Sequence, residues 1–182
     1  MLPIACFQRS RASMYKGPLT HSLHCSEFVE LTLISEIGDM REYTKFKKMI
    51  LLMKITNDDM KVLLKAQQGE LDAVLMYKAL AKKVKRTKDA ETFNRLAQEE
   101  GHHAAVFKNL TNRVLKPKKT MAIVLPLLYS IIGRKRLYGL IAKGEYAAVE
   151  KYQAVVEKFP EIESVKNDEK RHGDMVMALL ND

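Results

Sequence analysis

The chain has 182 residues, 47% of them hydrophobic, which is enough for one domain with a substantial apolar core. Its net charge of +9 comes from short basic runs, with no continuous basic stripe or nucleic-acid-binding motif, so we expect no nucleic-acid partner. The two cysteines, Cys6 and Cys25, form no CxxC pair, which excludes a zinc ribbon and a rubredoxin-type iron site. Nothing indicates a disulfide scaffold, so we expect the protein to lie in the reducing cytoplasm.

Residues 1–55 show no clear hydrophobic period. The first residues are too few, and too soon interrupted by Arg9 and Arg11, to form a signal peptide. We therefore expect an N-terminal extension over 1–55, followed by the folded domain over 56–182. The domain begins near Thr56, because this residue and Asp59 supply an N-cap and a first-turn carboxylate.

From Thr56 onward, apolar residues recur every three or four positions in four segments, which predicts four amphipathic helices. The predicted helices are Thr56–Val84, Lys88–Val114, Arg134–Phe159 and, for the fourth, Pro160 onward. Pro117 is expected to end the second helix, and Pro160 fits the first turn of the fourth.

An apolar run, 121–132, separates the second helix from the third and has basic residues on both sides. It is shorter than the about 20 apolar residues that a membrane-spanning helix needs. One interpretation is a short helix in a long crossover, packed on the bundle or on a partner subunit; the other is a patch that dips into a bilayer. We favour the first, because Pro126 is expected to kink the run. The predicted fold is therefore all-α: a four-helix bundle with one long crossover carrying a short apolar helix.

An internal repeat divides this bundle into two helical hairpins. Segments 69–77 and 144–152 both begin with Gly-Glu, and both place Ala three residues and Tyr seven residues after that Glu. A Glu-x-x-His pair then follows in each half of the chain. The repeat predicts two hairpins of the same design, joined by the crossover.

Six polar residues fall on the apolar seams of the predicted helices. They are Glu70, Glu100, His103, Glu145, Glu169 and His172. Buried carboxylates without partners are strongly unfavourable, no Lys or Arg shares these positions, and two divalent cations would cancel the four negative charges. One Glu from each of two helices, with Glu-x-x-His from each of the other two, is the ligand pattern of di-iron and di-manganese bundles. The alternative, buried protonated carboxylates and histidines, requires several raised pKa values at once.

The helical register selects between neighbouring acidic residues. Glu99 and His102 have the same spacing as Glu100 and His103, but Glu99 is in phase with mainly polar positions. By the same reasoning the second member of the doublet at 168–169 is the ligand. The sequence therefore predicts a two-metal centre, with iron or manganese as the metals that suit this ligand set.

Tyr77 and Tyr152 lie two turns after Glu70 and Glu145 on the same helix faces. In one interpretation their hydroxyls donate hydrogen bonds to metal ligands and hold them in place. In the other they are core tyrosines whose hydroxyls pair elsewhere. The spacing alone does not distinguish the two.

The motifs Glu100-Gly101-His102-His103-Ala104 and Glu169-Lys170-Arg171-His172, with the two Gly-Glu segments, resemble the di-iron domain of rubrerythrins in the ferritin-like superfamily. The resemblance covers about residues 56–180. It implies a ferritin-like bundle that forms a homodimer, two iron ions (or manganese, or mixed metals), and reduction of hydrogen peroxide with an external electron donor. It also implies bridging roles for Glu100 and Glu169, and terminal roles for Glu70 with His103 and Glu145 with His172.

The sequence departs from that family in two respects. Typical rubrerythrins add a rubredoxin domain whose four cysteines deliver electrons, and this sequence has no such cysteines. They also carry an extra Glu one turn after the third-helix ligand, tied to iron movement during peroxidase turnover, where this sequence has Ala148. The second departure predicts a more symmetric site, as in bacterioferritin-like centres.

Three functions are consistent with these observations. The expected function is a di-iron oxidoreductase of rubrerythrin type that reacts with peroxide or dioxygen. The first alternative is an iron-binding protein or ferroxidase. The second is a membrane-associated di-iron hydroxylase acting on a quinone, resembling the demethoxyubiquinone hydroxylases, in which residues 121–132 dock on lipid.

Overall fold

The computed structural model describes residues 41, 42, 44, 45, 49 and 55–181. The chain divides after Ile50 into two units, and the second, from Leu51 on, contains the helices discussed below. Nearly all of the extension predicted for residues 1–55 lies outside the described residues.

Within residues 55–181 all regular secondary structure is helical, with no strand, and the predicted all-α fold of four helices is confirmed. The helices are α1 (Asn57–Lys83), α2 (Thr87–Thr111), α3 (Thr120–Val156) and α4 (Glu163–Ala178). Short 3₁₀ turns cover Pro160–Ile162, before α4, and Leu179–Asn181, after it. Among the described residues, no helix combines the length and the apolar composition that crossing a bilayer requires.

Local side-chain chemistry sets the ends of α1 and α2. The N–H of Thr56 donates to Asp59 Oδ2 (2.8 Å) and the N–H of Asp59 donates to Thr56 Oγ1 (3.2 Å), which forms a capping box. Helix α2 ends at Thr111, earlier than the predicted Val114. Asn112 there adopts the left-handed conformation, and its N–H bonds to the Lys108 carbonyl. The helix therefore stops at Asn112, before Pro117 is reached.

Helix α3 contains both the apolar run and the predicted third helix, separated by a break at Gly133. Gly133 has φ 76° and ψ 173°, a backbone conformation that is essentially restricted to glycine. The backbone break lies at Gly133, which has the non-helical angles inside α3, and not at Pro126; the kink expected at Pro126 stays a prediction. Proline removes one helical hydrogen bond, but its fixed φ remains compatible with a helix. We call residues 120–132 the crossover helix.

A buried ion pair holds α3 in place directly after this break. Arg134 Nε and Nη2 donate to the two carboxylate oxygens of Asp89, at 2.8 and 3.0 Å, and the Tyr138 hydroxyl donates to Asp89 Oδ2 at 2.7 Å. Arg134 also donates to the carbonyl of Leu179. Burial opposes the ionised form of Asp89, but the hydrogen bonds from Arg134 and Tyr138 outweigh it and lower the pKa of this carboxyl. The start of α2, the restart of α3 and the end of α4 are thereby joined.

Two apolar clusters fill the interior of the bundle. The first contains Tyr77, Leu80, Phe93, Leu96, Leu137, Tyr138, Ile141 and Val176 among its members. The second contains Leu63, Phe107, Leu110, Tyr152, Val156, Phe159, Ile162 and Val165. Along α1 the order is Leu63, Glu70, Tyr77, so a polar position lies between the two clusters, and α2 repeats this arrangement with Glu100.

We predict that Gly133→Ala destabilises the bundle by about 1–3 kcal/mol, because a side chain strains the backbone at this φ. Gly139→Ala is the matched control. Gly139 lies in the same helix with a helical backbone, and a Cβ added there meets no atom within 4 Å. The control should be neutral or stabilise by up to about 1 kcal/mol. Urea unfolding followed by circular dichroism measures both, and equal effects would contradict the role given to Gly133.

Candidate metal centre

The six polar residues singled out in the sequence form one buried layer inside the bundle. Their side chains come from all four helices, with one Glu from each of α1 and α3 and one Glu with one His from each of α2 and α4. All six are buried: Glu70, Glu100, His103, Glu145, Glu169 and His172. Such a concentration of buried titratable groups is rare away from functional sites.

Four of these side chains converge on one point. Ligand atoms of Glu100, His103, Glu169 and His172 all lie within 4.8 Å of one another. The two imidazole rings stack beside each other, with centroids 5.2 Å apart. Such a cluster of two carboxylates and two imidazoles is a candidate metal site.

Glu100 and Glu169 lie at the middle of the layer. Glu100 reaches both histidines, since its Oε2 lies 3.4 Å from Nδ1 of His103 and its Oε1 lies 3.1 Å from Nδ1 of His172. Glu169 Oε1 lies 3.2 Å from Nδ1 of His103. A carboxylate between two imidazoles can bind a cation on each side.

Glu70 and Glu145 complete the layer at opposite ends. Glu70 Oε2 lies 3.9 Å from Nδ1 of His103, and Glu145 Oε2 lies 3.8 Å from Nδ1 of His172. Each histidine therefore has its own outer carboxylate, in the pairing that the family resemblance implies. The arrangement repeats the sequence symmetry of the two hairpins.

Four buried atoms at this centre have no hydrogen-bond partner. They are Glu100 Oε2, His103 Nδ1, Glu169 Oε1 and His172 Nδ1. Buried polar atoms in native proteins are nearly always paired, because an unpaired one loses its interaction with water. All four are lone-pair donors of the types that bind iron and manganese, so the residues present fit a metal centre.

The other nitrogen of each histidine is held by a carboxylate from the opposite hairpin. Nε2 of His103 lies 3.2 Å from Asp168 Oδ2, and Nε2 of His172 lies 2.8 Å from Glu99 Oε2. Both carboxyls have a lowered pKa, because hydrogen bonds from Arg171 and other partners outweigh the opposing effect of burial. Ionised carboxylates only accept hydrogen bonds, so Nε2 carries a proton, and Nδ1, which faces the centre, is the nitrogen that a metal would bind.

Arg171 links these two carboxylates. Its Nη1 lies 3.0 Å from Glu99 Oε2, and its Nη2 lies 2.6 Å from Asp168 Oδ1. One guanidinium therefore positions both histidines through their carboxylate partners. The helical register predicts mainly polar faces for Glu99 and Asp168, and no sequence pattern indicates a role for Arg171. The available sequence signal was that an acidic residue, Glu99 or Asp168, directly precedes the Glu of each Glu-x-x-His pair.

Tyr77 and Tyr152 also bond across the bundle. Tyr77 donates to Glu145 Oε1, and Tyr152 donates to Glu70 Oε1. Both hydroxyls therefore bond to candidate ligands, and the role of the two tyrosines in holding metal ligands stays a prediction. Each tyrosine bonds to the glutamate of the other hairpin, and not to the one two turns before it in its own helix. Burial raises the pKa of both phenols, so both remain donors.

The pKa values of Glu70, Glu145 and His103 are all raised in this layer. Burial is the main cause that raises the pKa of Glu145 to about 10, and it also raises the pKa of Glu70 well above its usual value. Burial opposes the charged form of His103, but its interactions with Glu100 and Glu169 raise its pKa to about 10. When cations are absent, protons therefore take up part of the negative charge.

Comparison with known proteins agrees with this geometry. The family model of rubrerythrin matches residues 61–180, which include all of α2, α3 and α4, all but the first turn of α1, and all six polar residues of the layer. No curated protein and no solved structure gives a match. The match covers well over half of the chain, and the four-helix fold with its buried Glu and His cluster is the arrangement found in ferritin-like proteins. The chain belongs to the rubrerythrin family.

Proposed function

We propose that the protein is a di-iron oxidoreductase of rubrerythrin type that reacts with hydrogen peroxide or dioxygen. The observation that carries the proposal is the set of four buried ligand atoms without hydrogen-bond partners at the centre of the bundle. Family membership supports iron as the metal, with manganese as the alternative for the same ligand set. A homodimer, an external electron donor and a cytoplasmic location, all stated from the sequence, stay predictions.

In this proposal the six side chains divide into bridging and terminal ligands. Glu100 and Glu169, at the middle of the layer, would bind both metals. Glu70 and His103 would hold one metal, and Glu145 and His172 would hold the other. When bound, two ferrous ions supply one electron each, which matches the two electrons and two protons that convert one hydrogen peroxide into two waters.

The surrounding residues of this chain hold the ligands in position. Tyr77 and Tyr152 each hold one oxygen of a terminal glutamate and leave Oε2 of that glutamate free to face the centre. Glu99 and Asp168 fix the orientation of the two imidazoles. The apolar clusters on both sides exclude bulk water from the layer.

The carboxylate that typical rubrerythrins add on the third helix is missing here, and this favours a second candidate function. Ala148 occupies that position, half-buried against the apolar cluster around Phe107. A symmetric site of this kind supports iron binding and ferroxidase activity as the alternative. The two candidates differ in which oxidant reacts faster and in whether iron accumulates beyond two ions per chain.

Anaerobic loading of the full chain with ferrous iron, followed by stopped-flow mixing with each oxidant, tests the proposal. We expect two irons per chain and faster oxidation by hydrogen peroxide than by dioxygen. Faster oxidation by dioxygen, with continued iron uptake, supports the ferroxidase alternative. A chain that binds no iron contradicts both.

Glu145→Gln distinguishes loss of metal binding from loss of folding stability. Without metal, Glu145 carries a proton, so the amide replaces a neutral group of nearly the same shape and still accepts from Tyr77. We expect the free energy of unfolding of the metal-free variant to lie within about 1 kcal/mol of the wild-type value. After iron loading, the variant should bind at least one iron fewer per chain. Glu150→Gln, an exposed position on the same helix, is the control and should keep both irons.

Metal binding should release protons and should strengthen as the pH rises. The raised pKa values of Glu70, Glu145 and His103 mean that these groups hold protons at pH 7, and cations must displace them. We expect Mn²⁺, a redox-stable probe, to release about two or three protons per chain at pH 7. Calorimetry in buffers of different ionisation enthalpy measures the number. No release at all would mean that the metal-free site is already fully ionised.

Removal of a carboxylate behind a histidine should weaken metal binding without unfolding the protein. We expect Asp168→Ala to lower the Mn²⁺ affinity by about 10- to 100-fold, because His103 loses the acceptor that sets its tautomer and ring orientation. Asp174→Ala is the matched control: this residue lies on the same helix and bonds to Tyr146 and Lys170. Equal affinities in the two variants would show that Asp168 does not position the ligand.

A further inference from the structure

The crossover helix exposes an apolar stripe to solvent. Ile123, Leu127 and Ile131 follow one another at four-residue intervals, with 62%, 60% and 78% of their surface exposed. Leu125, on the opposite side of the helix, is buried in the core of the bundle. Both sides of the helix are therefore apolar, whereas the outer side of a surface helix is normally polar. The packing of Leu125 accounts for one side only.

This stripe is a concentration of apolar surface. The described residues include eleven large apolar side chains that are exposed, and five of these belong to the crossover helix. Val124 lies beside the stripe, and Met121 adds exposed apolar surface at the start of the helix. Contiguous exposed apolar surface of this kind marks a contact with another molecule or with a membrane.

Positive charge flanks the stripe on both sides. Residues 112–144 contain eight Lys or Arg and no Asp or Glu. Five of the basic side chains lie immediately before or shortly after the crossover helix and are exposed: Lys116, Lys118, Lys119, Lys135 and Arg136. None of these five forms an ion pair with another described residue. An apolar surface with uncompensated cations on both sides is complementary to a layer that is apolar inside and anionic outside.

We propose that the crossover helix docks on an anionic lipid bilayer, lying in the plane of the surface. The helix is about 20 Å long, shorter than the about 30 Å of a hydrocarbon core, so it fits along the interface and not across it. Its apolar stripe enters the boundary between headgroups and acyl chains, and the five flanking cations lie at the level of the lipid phosphates. This proposal does not depend on the metal chemistry.

Charge argues against a second copy of the chain as the occupant of this surface. A two-fold contact places the same surface on both partners. If two crossover helices pair in either direction, a basic run of one copy meets a basic run of the other. Such a contact brings like charges together around the apolar stripe, whereas an anionic bilayer neutralises them.

Vesicle flotation with the full chain tests the proposal. The probes are phosphatidylcholine vesicles containing about 30% phosphatidylglycerol and vesicles of phosphatidylcholine alone. We expect binding to the anionic vesicles that weakens as salt is added, and little binding to the neutral ones. Equal binding to both, or binding to neither, overturns the proposal.

Two pairs of variants assign the binding to this helix. Leu127→Ser/Ile131→Ser should reduce the vesicle affinity by about tenfold or more, while Val62→Ser/Met177→Ser, at exposed apolar positions outside the crossover helix, should not. Lys135→Glu/Arg136→Glu should also reduce it by about tenfold or more. Lys65→Glu/Lys151→Glu, with the same change in net charge at other exposed positions, should have little effect.

Sedimentation of the same variants distinguishes lipid docking from a contact between two copies of the chain. If Leu127→Ser/Ile131→Ser converts a dimer into a monomer and the wild type does not float with anionic vesicles, the stripe is a contact between copies and the proposal is wrong. If both apolar variants float like the wild type, another part of the chain contacts the lipid, which also overturns it. Circular dichroism confirms that each variant keeps its helical content.

Discussion

The mutual repulsion of four carboxyl groups in one buried layer is the constraint on which the rest of this structure depends. Glu100 and Glu169 lie at the centre, and Glu70 and Glu145 lie at the two ends. Burial without compensation is unfavourable for such a group, so something positive must enter the layer. Protons serve this purpose when no metal is bound, as the raised pKa values of Glu70, Glu145 and His103 indicate. Two divalent cations would serve it more completely.

The groups that hold this layer in place come from the opposite halves of the bundle. Tyr77 of the first hairpin bonds to Glu145 of the second, and Tyr152 of the second bonds to Glu70 of the first. In the same way, Glu99 of the first hairpin bonds to His172 of the second, and Asp168 of the second bonds to His103 of the first. Neither hairpin therefore has an oriented set of ligands by itself, and the layer acquires its geometry when the two hairpins pack together. Arg171, which bonds to both carboxylates, lies where the two halves meet.

Periodicity predicts the helices and the register of the buried layer. The spacing of three and four residues assigns Glu100 to the apolar face of its helix and Glu99 to the polar face. In the structure Glu100 is buried among the candidate ligands, and Glu99 bonds to His172. The sequence did not reveal the cross-hairpin bonds, because a periodic pattern tells which way a side chain faces and not which side chain faces it. Nor did it place the break in α3, since proline is the usual breaker of helices but Gly133 adopts a conformation that other residues avoid. The sequence also did not place the end of α2, which is set by the left-handed backbone of Asn112.

The exchange of bonds between hairpins has a consequence for the origin of the chain. Each half supplies one outer glutamate, one Glu-x-x-His pair, one tyrosine and one carboxylate behind a histidine. The tyrosine and that carboxylate of each half bond to the glutamate and the histidine of the other half. A single ancestral hairpin that associated with an identical copy of itself would have possessed every one of these bonds. Tandem duplication of its gene, with the crossover as the new connection, would then have converted an association of two short chains into one polypeptide without the invention of any further ligand.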